Sequence, residues 1–198
     1  SDGASSNHSV VFVLYGGANF YADTQAGSGW KPLGMPFNIT RAERATIYEL
    51  DGKPAYDMYY HYLHVANDEN FFQNSLLFPL SMDHDGMLIV KVAMAANEDG
   101  SLVVTSDVSD EHRECRIAYG DPATILRSIK ECAAFMRVFN PDAVLFYSCV
   151  SRLLYWGPEY VGRETTPFNA IAPSAGFFTS SEFVRHHGDV LQHNVTLV

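Results

Sequence analysis

Ala143-Val-Leu-Phe-Tyr-Ser-Cys149-Val-Ser-Arg152 is the stretch that decides the fold. Pro141 and Asp142 precede it as a turn, and the apolar run Ala143 to Tyr147 predicts a strand buried on both faces. Ser148, Cys149, Ser151 and Arg152 crowd its exit. A strand end is a rigid place from which to offer polar groups to a ligand. Downstream, Ala175-Gly-Phe-Phe-Thr-Ser-Ser-Glu182 and Leu191-Gln-His-Asn-Val-Thr196 read as further short strands with polar ends.

Working outward, Asp121-Pro122 is a helix N-cap followed by proline at the first helical position. Ile125, Leu126, Ile129, Cys132, Ala133, Met136 and Val138 then recur at helical spacing, predicting a helix over Pro122 to Phe139. Pro54 to Val65 reads as a second, amphipathic helix. Phe37–Thr40 and Thr46–Leu50 read as a hairpin joined by an exposed Arg41–Ala45 connection, and Val10–Tyr15 as a buried strand. Asn67–Asn74 and Glu164–Asn169 read as loops. Leu76–Met82 reads as a short strand with Pro79 at an edge or bulge, and Arg152–Gly162 as one or two helical turns. Met87–Ala95, Leu102–Val108 and Glu114–Tyr119 read as an antiparallel meander. The expectation is an α+β fold, a largely antiparallel β-sheet with two main helices packed on the outside. Ser1 to Ser9 is polar and reads as a disordered tail or tag remnant, leaving 10–198 as one domain.

Composition narrows the partners. A net charge of -10 argues against nucleic acid and against an anionic membrane. No apolar run approaches the ~20 residues of a membrane span. Cys115, Cys132 and Cys149 are widely spaced without CxxC, which fits reduced thiols in a cytoplasmic setting. Gly16-Gly17 lacks the rest of a phosphate loop, His61 and His64 do not form HExxH, and Asp83–Gly86 lacks calcium-loop spacing. No metal or cofactor is indicated. Trp30, Tyr155 and Trp156 suit a pocket lining or a core equally.

Three of the quoted segments, SCVSR at 148–152, AGFFTSSE at 175–182 and LQHNVT at 191–196, resemble the C-terminal signatures of the FIST family. Upstream, Gly29–Gly34, Ile39–Ala42 and Leu50–Ala55 resemble the segment that joins the two halves of that family's module. One departure is Ser181, where the family usually has glycine before the glutamate. The resemblance implies a FIST C-terminal-like sensory domain whose N-terminal half is mostly missing from this chain. It also implies a small-molecule ligand, with amino acids or related carboxylates as the usual suggestion, and a signalling output module as partner.

The expected ligand-binding set is Ser148, Cys149, Arg152, Gly176, Glu182 and Asn194. Arg152 would grip a carboxylate with its planar fork, and Glu182 would accept an ammonium; the structural alternative is that the two bridge each other. A sensory domain predicts a closed pocket between the sheet and Arg152–Asn169. Two other classes remain. A cysteine-dependent hydrolase or lyase would pair Cys149 with a histidine such as His186, His187 or His193. A protein-interaction module would show an apolar patch instead of a pocket. A buried, inert Cys149 is the favoured reading, so no catalytic residue is assigned.

Overall fold

The computed structural model describes residues 10, 12–108, 114–157 and 161–198. Ser1–Ser9, read as a tail, lie outside the described residues. The order is β1 (Lys31–Glu43), β2 (Thr46–Leu50), β3 (Lys53–Pro54), α1 (Ala55–Leu63), α2 (Phe71–Leu77), β4 (Leu80–His84), β5 (Met87–Lys91), β6 (Ala93–Ala96), β7 (Leu102–Val104) and β8 (Glu114–Tyr119). There follow α3 (Pro122–Phe139), β9 (Val144–Cys149), α4 (Val150–Trp156), α5 (Val161–Asn169), β10 (Ser174–Thr179), β11 (Glu182–His186) and β12 (Asp189–His193).

The main sheet runs β5-β4-β8-β1-β2-β7-β6 and is antiparallel, with β3 paired to β2. Its two end strands, β5 and β6, are successive runs of one chain path separated by Val92 alone. The sheet therefore curls almost into a barrel. Long β1 makes this possible: its first part pairs with β8 and its last part with β2, with register shifts between. Ile47, Leu50, Tyr59, Leu80, Met82 and Leu102 form part of its core cluster, which α1 and α2 help to close.

A second layer packs against this near-barrel. β9 and β10 pair in parallel, and Val195–Val198 runs antiparallel along the other edge of β9, where Tyr147 and Val198 exchange both backbone hydrogen bonds. Leu197 in turn exchanges both bonds with Gly27. β11 and β12 form a hairpin. α3 lies across the layers, burying Ile125, Ile129, Cys132 and Ala133. Its Asp121 cap accepts from the amides of Ala123 and Thr124.

The α+β class and α3 match the sequence expectation, and several elements differ. Five helices are present among the described residues, not two. The α2 and α5 helices stand where loops were expected, and α4 starts directly at Cys149. The β1–β2 connection is a tight Arg44-Ala45 turn, with Arg44 at φ 50, so Arg41–Glu43 belongs to the strand. β7 pairs with β2 and β6, while β8 inserts between β4 and β1, so there is no simple meander. The described residues of Val10–Tyr15 do not form a buried strand: Phe12 is 82% and Leu14 94% exposed; Val11 lies outside the described residues. β9 is covered on one face only, because Leu145 and Tyr147 face outward while Val144 and Ser148 are buried.

Gly176 sits opposite Phe146 in the β9–β10 ladder, and a Cβ there would fall 2.0 Å from the Phe146 carbonyl oxygen. Backbone must move to admit any side chain. Gly176→Ala is expected to destabilise the fold by ~1–3 kcal/mol, the scale of overpacking, measured by denaturant unfolding.

Candidate functional site

Arg152, on α4, is completely enclosed, at 0% exposure. Its fork is already engaged. Nε and Nη2 donate to the two carboxylate oxygens of Glu164 at 3.2 and 2.5 Å. Nη1 donates to the carbonyls of Ser28 at 2.9 Å and Val195 at 2.8 Å. The indole Nε1 of Trp156 donates to the same Glu164 at 2.9 Å. The bidentate partner of Arg152 is thus Glu164 of α5, not Glu182, and this packed pair lies in the region where the sequence predicts a closed pocket.

Glu182 begins β11 with Cys149, Ser148 and Thr179 around it. It accepts a hydrogen bond from the Thr179 hydroxyl, and Thr179 also donates to the Ser148 carbonyl. Among the described residues its second oxygen has no hydrogen-bond partner and is buried, as is the Ser148 hydroxyl. Burial pushes the Glu182 carboxyl up to about 7, against the opposing pull of Thr179 and Arg152. Burial, then the Glu182 charge, also raises the Cys149 thiol, whose side chain is 1% exposed. All three cysteines are free and buried.

Asn194 belongs to a neighbouring polar chain. Lys91 donates to the Ser106 hydroxyl at 2.7 Å, and Ser106 donates to Asn194 Oδ1 at 3.0 Å. Asn194 Nδ2 then reaches the Ser180 carbonyl and the Ser181 hydroxyl. Lys91 is buried, which lowers its ammonium to about 8. The expected set therefore divides. Ser148, Cys149 and Glu182 converge, Asn194 stands beside them, Arg152 braces the chain from behind, and Gly176 packs under Phe146.

An open cleft lies elsewhere. A cleft of about 470 Å³ lies between α3, the entry to β1, the start of β5 and the β11–β12 hairpin. α3 contributes Thr124, Arg127, Ser128 and Glu131; Trp30, His186, His193 and Thr196 come from the other walls. Trp30 and His193 are 3% and 2% exposed, and both Trp30 Nε1 and His193 Nε2 are buried without a hydrogen-bond partner among the described residues. An orphaned buried polar atom costs ~1–3 kcal/mol unless something supplies its partner. Burial, then the nearby Lys91 charge, lowers the His193 imidazole to about 4, so it is neutral at pH 7. His193 is also the cross-strand partner of Glu182, which links this wall to the Ser148–Cys149 cluster. Gly29 makes the close approach possible: its φ is +84, and a Cβ would meet Ile125 Cα at 2.5 Å.

The cleft residues of α3 escaped the sequence reading. Thr124, Arg127, Ser128 and Glu131 recur at i, i+3, i+4 and i+7, which is one polar face of the helix. Such a face reads as solvated until another element is found opposite.

Comparison with known families matches residues 55–185 to the FIST C domain and residues 1–53 to the FIST N domain. The N-terminal half is therefore represented in this chain, which corrects the expectation that it is missing. No curated protein and no solved structure gives a significant match.

Two outcomes follow from the geometry. Breaking a buried pair by removing one partner's geometry is costly. Arg152→Lys, which keeps one charge and loses the fork, is expected to cost ~3–5 kcal/mol in unfolding experiments. Glu182 binds its proton more tightly folded than unfolded, so its burial penalty is full above pH 7 and fades as pH falls from about 7 towards its ordinary value of 4.5. His193 acts oppositely: its stabilising share is present above 6.5 and is lost as pH falls through about 4. Glu182→Gln keeps an acceptor for Thr179 and removes only the first effect. It is expected to be more stable than the parent at pH 8, by on the order of 2 kcal/mol, with the difference vanishing near pH 4.5 in urea titrations.

Proposed function

Because the chain belongs to the FIST family, we propose that it is a cytoplasmic small-molecule-binding sensory domain, non-catalytic by itself, whose ligand site is the cleft between α3 and the β11–β12 hairpin. The observation that carries this reading is the pair of buried, unpartnered nitrogens on Trp30 and His193, both residues lining the same cleft. An indole N–H can only donate, so it asks for an oxygen acceptor. Arg127 and Glu131 bring opposite charges to the rim, one turn apart. A carboxylate facing Arg127 and Trp30 and an ammonium facing Glu131 describe an amino acid or a related small carboxylate. The signal passes to an output module reached through the polypeptide or through a partner protein. Among the described residues, no helix is long and apolar enough to cross a membrane.

The hydrolase or lyase reading finds less support, because Cys149 has Glu182 and Ser151 as neighbours and a raised thiol pKa. Such a thiol is a poor nucleophile at neutral pH.

A ligand that binds only the native state raises its melting temperature. A thermal-shift screen against amino acids and small carboxylates is expected to yield at least one stabilising compound. Arg127→Ala should weaken that compound by ~1.5–3 kcal/mol, the scale of a charge-assisted hydrogen bond, without lowering the melting point of the free protein. Equal binding by Arg127→Ala and Glu131→Gln variants would place the site elsewhere.

A further inference from the structure

β9 has two edges. One is taken by β10 along its whole length. On the other, Cys149 donates to the Thr196 carbonyl and Tyr147 exchanges both bonds with Val198. Among the described residues the ladder stops there. Backbone alternation points the N–H and C=O of Leu145 to this same edge, past the last rung. Across the gap, the chain leading into Gly27 lines the opposite side of the space as Tyr21–Gln25; alternation carried back from the Gly27–Leu197 rung would turn the backbone groups of Gln25 and Asp23 the same way. Between these two backbone edges lies a groove of about 700 Å³. Cys132, Met136 and Phe168 are among its apolar lining residues. A space with backbone edges on both sides and an apolar lining has the form of a missing strand.

The same chain carries an exposed apolar segment. Phe12, Val13, Leu14 and Tyr15 are 82%, 64%, 94% and 58% exposed, in a protein of net charge -10. Four consecutive exposed apolar residues are a liability unless they are covered. The chain turns at once after them: the Phe20 amide donates to the Gly17 carbonyl at 3.2 Å, and the Tyr15 and Phe20 rings stack at 5.7 Å. Tyr15 already stands in the lining of the groove. A segment folded back about this turn runs antiparallel to Tyr21–Gln25. That is the direction in which Val195–Val198 runs, and it is antiparallel to β9 as the slot requires.

We propose that the slot is a built-in strand acceptor, and that its occupant is the Phe12–Tyr15 segment of the same chain. Once seated, the segment continues the line of Val195–Val198 and joins the Tyr21–Gln25 edge to the Leu145 edge of β9. Period-two alternation sends one pair of its side chains towards Cys132, Met136 and Phe168 and the other pair outward. Because the slot abuts the strand that ends in Ser148 and Cys149, the seated segment joins the FIST N region to the sheet of the FIST C region.

Hydrogen exchange on the whole chain at low concentration tests this. With the segment seated, the amides of Leu145 and Gln25 are expected to exchange roughly 100-fold or more slowly than unstructured amides. Leu14→Pro deletes one N–H and disrupts strand pairing, so it should abolish that protection and lower the melting temperature. At a position standing free in solvent the same change would do neither. Phe12→Asp, which leaves the backbone competent, should weaken the protection in the same direction. Light scattering is expected to report a monomer throughout. Unprotected amides in the parent chain, protection indifferent to Leu14→Pro, or protection that appears only with a dimer would each overturn the proposal, the last by naming a second copy as the occupant. None of these results depends on whether the α3 cleft binds a ligand.

Discussion

The buried Arg152–Glu164 pair is the interaction on which the second layer depends. Taking two charges out of water is expensive, and only complete hydrogen bonding makes it tolerable. Here the guanidinium meets a carboxylate on one side and backbone carbonyls on the other. The carbonyls belong to Ser28, just before β1, and to Val195, just after β12. One side chain thereby ties α4, α5, the entry to the near-barrel and the C-terminal strand into one body. Trp30 lies with its ring 5.5 Å from the same guanidinium, and Trp156 holds Glu164 from the far side. The walls of the cleft inherit their positions from this brace.

Beside it the protein keeps a second set of buried polar groups less fully satisfied. The Lys91–Ser106–Asn194–Ser181 chain pairs each group it buries. Glu182, Ser148, Trp30 and His193 each retain one buried atom with no hydrogen-bond partner among the described residues. Networks left partly satisfied cost stability, and natural proteins tolerate them where function uses the cost. The contrast separates a scaffold element, Arg152, from groups with bonding capacity to spare. It also shifts the chemistry away from the residues with the strongest charge and towards Trp30, His193 and the α3 rim.

Local signals in the sequence carry α3 completely. The Asp121 cap, Pro122 and the apolar period from Ile125 to Met136 all act within one element. Long-range choices were not legible. Nothing local says that Arg152 pairs with Glu164, since Glu164 opens the Glu164–Asn169 stretch that reads as loop, with Pro167 inside it, yet α5 forms around them. The apolar run Ala143–Tyr147 was read as buried on both faces, as befits a parallel strand. The sheet has only two parallel members, and Leu145 at 48% and Tyr147 at 38% exposure remain outside. The motif residues themselves were legible as a group at strand ends. Ser148, Cys149 and Glu182 do converge, but with their polar atoms directed into the interior. What the motifs mark is the junction of β9, β10 and β11, from which the cleft wall is hung.

The C-terminal segment connects the two open features of this layer. Thr196 and His193 line the cleft, while Leu197 and Val198 line the strand-shaped slot. These are four residues within one six-residue run, and Val195 between them is fixed by Arg152. Past the bend at Val195, whose φ is 56, the run is paired on both edges, by Gly27 on one side and by Tyr147 and Cys149 on the other. The residues that line the cleft and those that line the slot therefore share one backbone segment, and the Arg152 contact to Val195 fixes a point between them. A pairing that positions Val198 acts on the same segment that carries Thr196.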